Sequence, residues 1–455
     1  MTNARRLAYQ VLLNLEKQAH YPDRLMRATL QRYPQPKPEE RALFTELVYG
    51  VLRWQGTLDW HIDQLSTVKP HKIASSVRLL LRLALYQILN LDRIPDHAAV
   101  NETVRLARTS HPPHVVGFIN AMLREAIRRE GRWPWPSPER EPDAFLTATT
   151  SHPRWFVQRC LKEFGFEETT ALCQANNTIA PLVLRVNCPK VSLSQLLGRL
   201  REGGVRTESS PRLANAVRLV GPRQNPGSLP GFQDGWFQVQ DEASQLVSLI
   251  LDPRPGERIL DLCAGFGGKT THIAMLMGNA GEIVAVDQSS WKLRELVQNA
   301  LRQGLTIITT LTGDARELIP AKLGQFDRVL LDAPCSGFGT LRRKPDIKWR
   351  RHPKDPYRFS QQQRELLERA SLFVREGGIL VYATCTIFSE EDERVAEDFG
   401  KAHRDFDLEA AGDSLPATCQ DLVSAKYFKT WPHRHGVDGF FAARWRRVSS
   451  SQASL

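Results

Sequence analysis

No apolar run in these 455 residues approaches the roughly 18 residues of a membrane-crossing helix. The opening MTNARRLAYQ likewise lacks the apolar core of a secretory signal. Cysteine is scarce and scattered: seven residues, Cys160, Cys173, Cys188, Cys263, Cys335, Cys385 and Cys419, with no Cys-x-x-Cys pair. An odd, dispersed set indicates neither a disulfide framework nor a zinc site, so no metal is expected. Neither a membrane-crossing helix nor a disulfide-stapled secreted domain is expected, and a reducing cytoplasm without a membrane partner is the expected setting. Acidic residues are also in deficit, 50 against 61 Lys and Arg, which leaves a net charge of +11 and a pI near 9.4. That balance favours a polyanionic partner, although charge alone does not separate DNA, RNA and a lipid surface from plain solubility.

What is present is an ordinary globular composition, 42% hydrophobic and 24% charged, at a length that suggests roughly three domains on a ~150-residue prior. Residues 1–133 read as all helix. Leu7, Ala8, Val11, Leu12 and Leu15 recur at helical spacing, as do Leu43, Leu47, Val51 and Trp54, and the run at 73–91 is apolar on most faces and fits a central helix. Arginines stud these helices, as an RNA or protein contact or simply as a solvated surface. RWPWPSPEREP, with four prolines in eleven residues, forbids regular helix and marks a linker. A small α+β module is expected over 143–231, expected to bind RNA, with PLVLRVN as a strand. From 232 to 448 strands and helices alternate, which predicts a doubly wound parallel sheet. The Ser-rich tail 449–455 is expected to be disordered.

The third region turns on ERILDLCAGFGGKTTH, an apolar strand, a glycine turn and a helix opening. A phosphate-binding P-loop would need glycine where Cys263 stands, and a dinucleotide fingerprint would need one where Thr270 stands. A Rossmann-like adenosine site survives, because EIVAVD places Asp287 at the ~20-residue offset suited to ribose hydroxyls. S-adenosylmethionine (SAM) fits best. Two later strands end in reactive residues: DRVLL runs into Asp332-Ala333-Pro334-Cys335, and ILVYA into Thr384-Cys385-Thr386. Both cysteines therefore leave the sheet at the edge that holds the glycine turn. A thiolate adding to carbon 6 of a pyrimidine would make carbon 5 nucleophilic enough to take a methyl group. Asp332 could then hydrogen-bond N3, with Lys269 holding it. Asp314 could meet the adenine side of the cofactor or be an exposed turn residue. The residues alone do not choose which cysteine attacks.

LDLCAGFGGKTTH, VAVD, GDA, LLDAPCSG and YATCT, with VQDEASQ upstream, together resemble the RNA cytosine-C5 methyltransferases. With its helical amino-terminal region the chain looks like the RsmB (Fmu/Sun) type, which modifies small-subunit ribosomal RNA. The resemblance implies a NusB-like all-α domain, a small α+β module and an α/β Rossmann-like methyltransferase domain using SAM. It implies Cys385 as nucleophile, Cys335 as the residue that aids product release, and Asp332 as the base-contacting acid. The cofactor residues carried over are Cys263, Ala264, Gly265, Phe266, Gly267, Gly268, Lys269, Asp287, Asp314 and Asp332. The chain departs from the family at Gly265-Phe266, where Ala-Pro is usual.

RRKPDIKWRR adds Arg342, Arg343, Lys344, Lys348, Trp349, Arg350 and Arg351, basic charge around an aromatic that suits single-stranded RNA, with a solvated loop as the alternative. A single-stranded or loop region of ribosomal RNA is the expected partner, because the target carbon must leave any base stack. A monomer is favoured. The rivals are a DNA cytosine-C5 methyltransferase, which would attack with Cys335, and a non-catalytic RNA-binding assembly factor.

Overall fold

The structure, a computed structural model, describes residues 4–17, 21–33, 37–221 and 224–448; the tail 449–455 lies outside the described residues. The chain divides into two compact units, Met1–Thr178 with Lys344–Arg350, and Ile179–Arg343 with Arg351–Leu455.

The first unit is helical: α1 Ala4–Lys17, α2 Pro22–Arg32, α3 Pro38–Leu65, α4 Ser75–Asn90, α5 Asp96–Arg108, α6 Pro113–Arg128, α7 Pro142–Thr150 and α8 Arg154–Asn177, the last kinked at Gly165. α4 is the central helix its sequence predicts, with Leu79, Leu80, Leu81, Leu83, Ala84 and Leu85 all buried. It lies so close to α3 that a Cβ on Gly50 would stand 2.0 Å from the Tyr86 ring, so the crossing requires glycine there. Arg82, buried on the same helix, donates to Asp59 at 2.8 Å and to Glu16 at 2.9 Å. Arg78 reaches Asp59 and Asp63, so some of the arginines are internal struts. The proline-rich stretch is not a free tether. Its tryptophans fold back on α3, Trp135 stacked on Trp60 at 4.2 Å and Trp133 tilted on His61 at 4.1 Å. α7 and α8, expected to open the α+β module, fold with this unit.

The second unit starts with a four-stranded antiparallel sheet in the order β2-β3-β1-β4, from β1 Val183–Val186, β2 Thr207–Ser209, β3 Ala216–Leu219 and β4 Phe237–Val239. α9 Leu193–Glu202, opened by a Ser192–Gln195 capping box, packs Leu196 and Leu200 on Leu184, Val186, Val217 and Phe237 of the sheet. There follow α10 Glu242–Leu251, β5 Arg258–Leu262, α11 Gly268–Leu276, β6 Glu282–Asp287, α12 Ser290–Gln303, β7 Ile308–Thr312, α13 Pro320–Leu323 and β8 Phe326–Asp332. α14 Ile347–Arg350 belongs to the first unit. The second resumes with α15 Asp355–Ser371, β9 Val374–Thr384, α16 Glu393–Ala402, β10 Phe406–Glu409, β11 Val423–Ser424, β12 Tyr427–Lys429, α17 Pro432–His435 and β13 Phe441–Arg447.

Among the described residues the large sheet runs β11-β12-β13-β9-β8-β5-β6-β7, with β10 on β13. Its strands feed two layers by simple alternation: Ile259, Leu330, Ile379 and Val381 enter one core, and Leu260, Leu262, Val329, Leu331, Leu380 and Tyr382 the other. β7-β6-β5-β8-β9 is parallel, as expected, but β13 is antiparallel to β9 and β10 to β13. The sheet is thus mixed, a correction to the purely parallel expectation. FAARWRR looks too charged for an interior strand, yet Arg444 is buried with its guanidinium on Glu409 and the Ile250 carbonyl. Strand order reverses between β5 and β8, and the site lies at that switch point.

His61, buried among the tryptophans, has an unpartnered Nδ1 and is pushed down to about 4 by burial and by the charge of Arg129. Its folded pKa lies below the unfolded one, so the unfolded chain binds more protons between the two and stability falls as pH drops from 6.5 towards 4. His61→Phe is expected to remove roughly 1–2 kcal/mol of the stability difference between neutral pH and about pH 5. Thermal melts at both pH values check this; an unchanged difference refutes it.

Candidate active site

β5 delivers the chain into a turn where Cys263, Gly265 and Gly267 all have positive φ, +64, +59 and +77. Gly267 is fixed by contact as well as by backbone, because a Cβ there would stand 2.3 Å from Leu296 Cγ. The turn is tied to its neighbour strand by Ala264 N donating to the Val286 carbonyl at 2.8 Å and Gly265 N donating to Asp287 Oδ2 at 2.9 Å. Asp287 also accepts from Ser289 N at 2.8 Å. A carboxylate has about four lone-pair positions, so Asp287 keeps acceptors for a ribose diol. The bare turn, the start of α11 and this carboxylate fit a SAM molecule, whose part in the chemistry is to supply an electrophilic methyl group. Phe266 stands half exposed with its ring edge-on to Trp291 at 5.2 Å. Asp314 lies just beyond the end of β7. Arg316 donates to it from its backbone at 2.9 Å and from its guanidinium at 2.6 Å, holding the carboxyl below its usual range.

At the end of β8, Asp332 Oδ2 accepts from Lys269 Nζ at 2.7 Å, and that ammonium also lies 5.0 Å from the centre of the Phe440 ring. The two predicted cysteines meet. Cys335 Sγ and Cys385 Sγ are 3.3 Å apart, and Cys385 N donates to Cys335 Sγ at 3.4 Å. The hydrogen bond with Cys385, followed by burial, pushes the Cys335 thiol up. The loops carrying them are laced together, Ser336 Oγ to Thr386 Oγ1 at 2.8 Å and Ser336 N to Glu391 Oε2 at 2.7 Å. Glu391 is fully buried, takes a further hydrogen bond from Gln363 Nε2 at 3.2 Å, and is pushed up to about 7 by burial.

Three groups at this edge escaped the sequence reading. Glu391 sits in SEEDE, which looks like the acidic first turn of a helix, whereas α16 begins only at Glu393. Asp261 lies inside β5, accepts from Thr270 Oγ1 at 2.6 Å, has an unpartnered Oδ1 and is pushed up to about 7 by burial. A carboxylate interrupting ILDL was the available signal. Arg185 reaches the glycine turn from β1 and is taken up below.

The basic run 342–351 requires correction, because most of its charged heads point inward to partners. Arg342 and Arg343 bind Asp438 at 3.1 and 2.8 Å, and Arg343 also binds Asp241 at 2.6 Å. Arg351 donates to the carbonyls of Ser336 at 2.9 Å and Cys335 at 3.3 Å, so it shapes the Cys335 loop. Lys348 is fully buried in the helical unit, donating to the carbonyls of Arg53 and Ser151 and to Asn177 Oδ1. Trp349 donates to the Leu52 carbonyl at 2.6 Å. Lys344 and Arg350 are exposed, Arg350 in an ion pair with Asp346.

A switch-point glycine turn, an acid at the end of the next strand and an acid–lysine pair on this sheet define a SAM-dependent methyltransferase of Rossmann-like fold. Profiles for "16S rRNA methyltransferase RsmB/F", the "NusB family" and the "Methyltr_RsmF/B-like, ferredoxin-like domain" match residues 248–446, 2–128 and 152–225. The chain is 36% identical to the probable ribosomal RNA small subunit methyltransferase B of Bacillus subtilis, over 98% of this chain and 99% of that one. It belongs to that ribosomal RNA small subunit methyltransferase B family. The crystal structure of PH0851 superposes with a TM-score of 0.83 at 30% identity, covering 98% of both chains. That of NSun6 from Pyrococcus horikoshii, solved with SFG, shares the fold at a TM-score of 0.58 and 24% identity, covering 66% of this chain and 99% of that one. Among the described residues no helix is long and apolar enough to cross a membrane, and no cluster of His, Cys, Asp and Glu could hold a metal.

Gly267→Ala is expected to weaken SAM binding by about tenfold or more and to lower stability by about 1–3 kcal/mol. Calorimetric titration and a thermal melt measure the two effects; undiminished affinity would show that this turn does not hold the cofactor.

Proposed function

We propose that this protein methylates carbon 5 of a cytosine in small-subunit ribosomal RNA, with Cys385 as the covalent nucleophile. The observation that carries the reading is the pair of sulfurs 3.3 Å apart at the sheet edge, in the same unit as the glycine turn and the Lys269–Asp332 ion pair. The relatives' names supply the nucleic acid, and the helical unit, matched by the NusB profile, is the proposed RNA-holding part.

Cys385, as thiolate, forms the bond from Sγ to carbon 6, and the electron pair displaced from the 5,6 double bond is delocalised towards N3 and O2. Asp332, oriented by Lys269 through one oxygen and carrying a proton on the other, donates that proton in a hydrogen bond to N3 and stabilises the charge. Carbon 5 would then take the methyl group, with S-adenosylhomocysteine as the leaving group. Loss of the carbon 5 proton to solvent water restores the double bond and expels Sγ as thiolate. Cys335, a neutral thiol 3.3 Å from Cys385 Sγ, donates a hydrogen bond to the departing thiolate and so assists this expulsion.

The two cysteines should therefore fail differently. Cys385→Ala should abolish methylation and form no covalent species with RNA. Cys335→Ala should still form the adduct and accumulate it, visible as a shifted band on a denaturing gel. RNA carrying 5-fluorocytosine should trap the parent enzyme in the same way, because fluorine does not leave as a proton does. A covalent band that persists in Cys385→Ala and vanishes in Cys335→Ala would reverse the assignment, and no band in any variant would remove the covalent mechanism.

A further inference from the structure

β1 has side chains buried on both faces. Leu184 and Val186 enter the core of the small sheet, while Val183 faces the core formed by Leu246, Ile273 and Ile283 of the methyltransferase fold. By strand alternation Arg185 and Asn187 share the face of Val183. Arg185 is 1% exposed, and no carboxylate among the described residues pairs with it. Its two terminal nitrogens instead hold neutral oxygens: the Gly268 carbonyl at 2.7 Å, Thr271 Oγ1 at 3.0 Å, Gln303 Oε1 at 3.1 Å and Gln240 Oε1. Its Nε has no partner. Thr271 Oγ1 in turn donates to the Gly267 carbonyl at 2.7 Å, so the guanidinium grips both glycines that close the cofactor turn. Asn187 donates to the Gln303 carbonyl at 3.0 Å.

An unpaired guanidinium is an unfavourable group to bury, and a positive charge beside the first turn of α11 opposes the helix dipole. Stability alone would favour an apolar side chain at this position. What the arginine provides, and an apolar residue would not, is a multidentate hold on a glycine turn that has almost no side chains of its own to fix it.

We propose that Arg185 is a positioning residue for SAM: the small antiparallel module, through this one side chain, keeps the Gly267–Gly268 turn in its cofactor-receiving conformation. The inference rests on the reading that this turn binds SAM. It gives the module a part in cofactor binding distinct from any contact with RNA.

The test is calorimetric titration of SAM and of S-adenosylhomocysteine into the full chain and into Arg185→Met, Arg185→Lys and Thr271→Val, with KM for SAM, KM for RNA and kcat measured alongside. Arg185→Met should weaken both ligands by about tenfold or more and raise KM for SAM in step, leaving KM for RNA and kcat at saturating SAM close to those of the parent. Arg185→Lys keeps the charge but loses the fork, and should recover part of the affinity. Thr271→Val removes only the relay hydroxyl and should shift affinity in the same direction by less. Unchanged SAM affinity in folded Arg185→Met, or a loss confined to RNA, overturns the proposal. If Arg185→Met does not fold, Thr271→Val decides: weakened SAM binding supports the proposal and unaltered binding overturns it. A parent protein that gives no heat with SAM overturns the site reading itself, separately from any variant.

Discussion

The parallel register of β8 against β9 is the constraint on which the site depends. Asp332 pairs with Ala383 across that ladder, so the residues following each strand emerge side by side, and the sulfurs of Cys335 and Cys385 meet although 50 residues separate them in sequence. A slip of two residues would keep every side chain on its proper face and leave both core layers intact. It would also carry Cys385 about 6–7 Å along the strand. Hydrophobic alternation therefore specifies the faces but not the meeting of the sulfurs. The lacing between Ser336, Thr386 and Glu391 holds the two loop ends at the register where the thiols touch.

Buried charge recurs around this edge. Arg185, Lys269, Asp261, Glu391 and Asp392 are all nearly or wholly enclosed. Their partners are mixed: Lys269 has a carboxylate, Asp392 has the Thr384 hydroxyl and Lys429, and Glu391 has backbone and side-chain amides. Such groups are poor devices for stability and effective ones for fixing geometry, because each tolerates only arrangements that keep its hydrogen bonds. The site is thus rigid where reacting groups must be aimed.

Much of this was legible in the sequence, and the remainder was not for physical reasons. The helical unit, the α/β alternation, the glycine turn, the sheet edge that carries it and the two cysteines followed from periodicity and spacing, since each leaves a local signature. β10, β11 and β12 are two to four residues long, too short for any period to register. FAARWRR conceals an interior strand because its arginines are answered by Glu409, which lies far away in sequence. The 342–351 run misled for the same reason: local composition reads exposure from charge, and these charges are met by Asp241, Asp438 and backbone carbonyls that no local window contains.

Lys344–Arg350 folds with the helical unit although it follows most of the other in sequence. A ribosome making this chain releases α1 to α8 early, but the carbonyls of Leu52, Arg53 and Ser151 receive the donors of Lys348 and Trp349 only after the glycine turn and the first four strands of the large sheet's parallel half have appeared. The amino-terminal unit thus reaches its final form late in synthesis, and its completion is timed by the same stretch of chain that brings out Cys335.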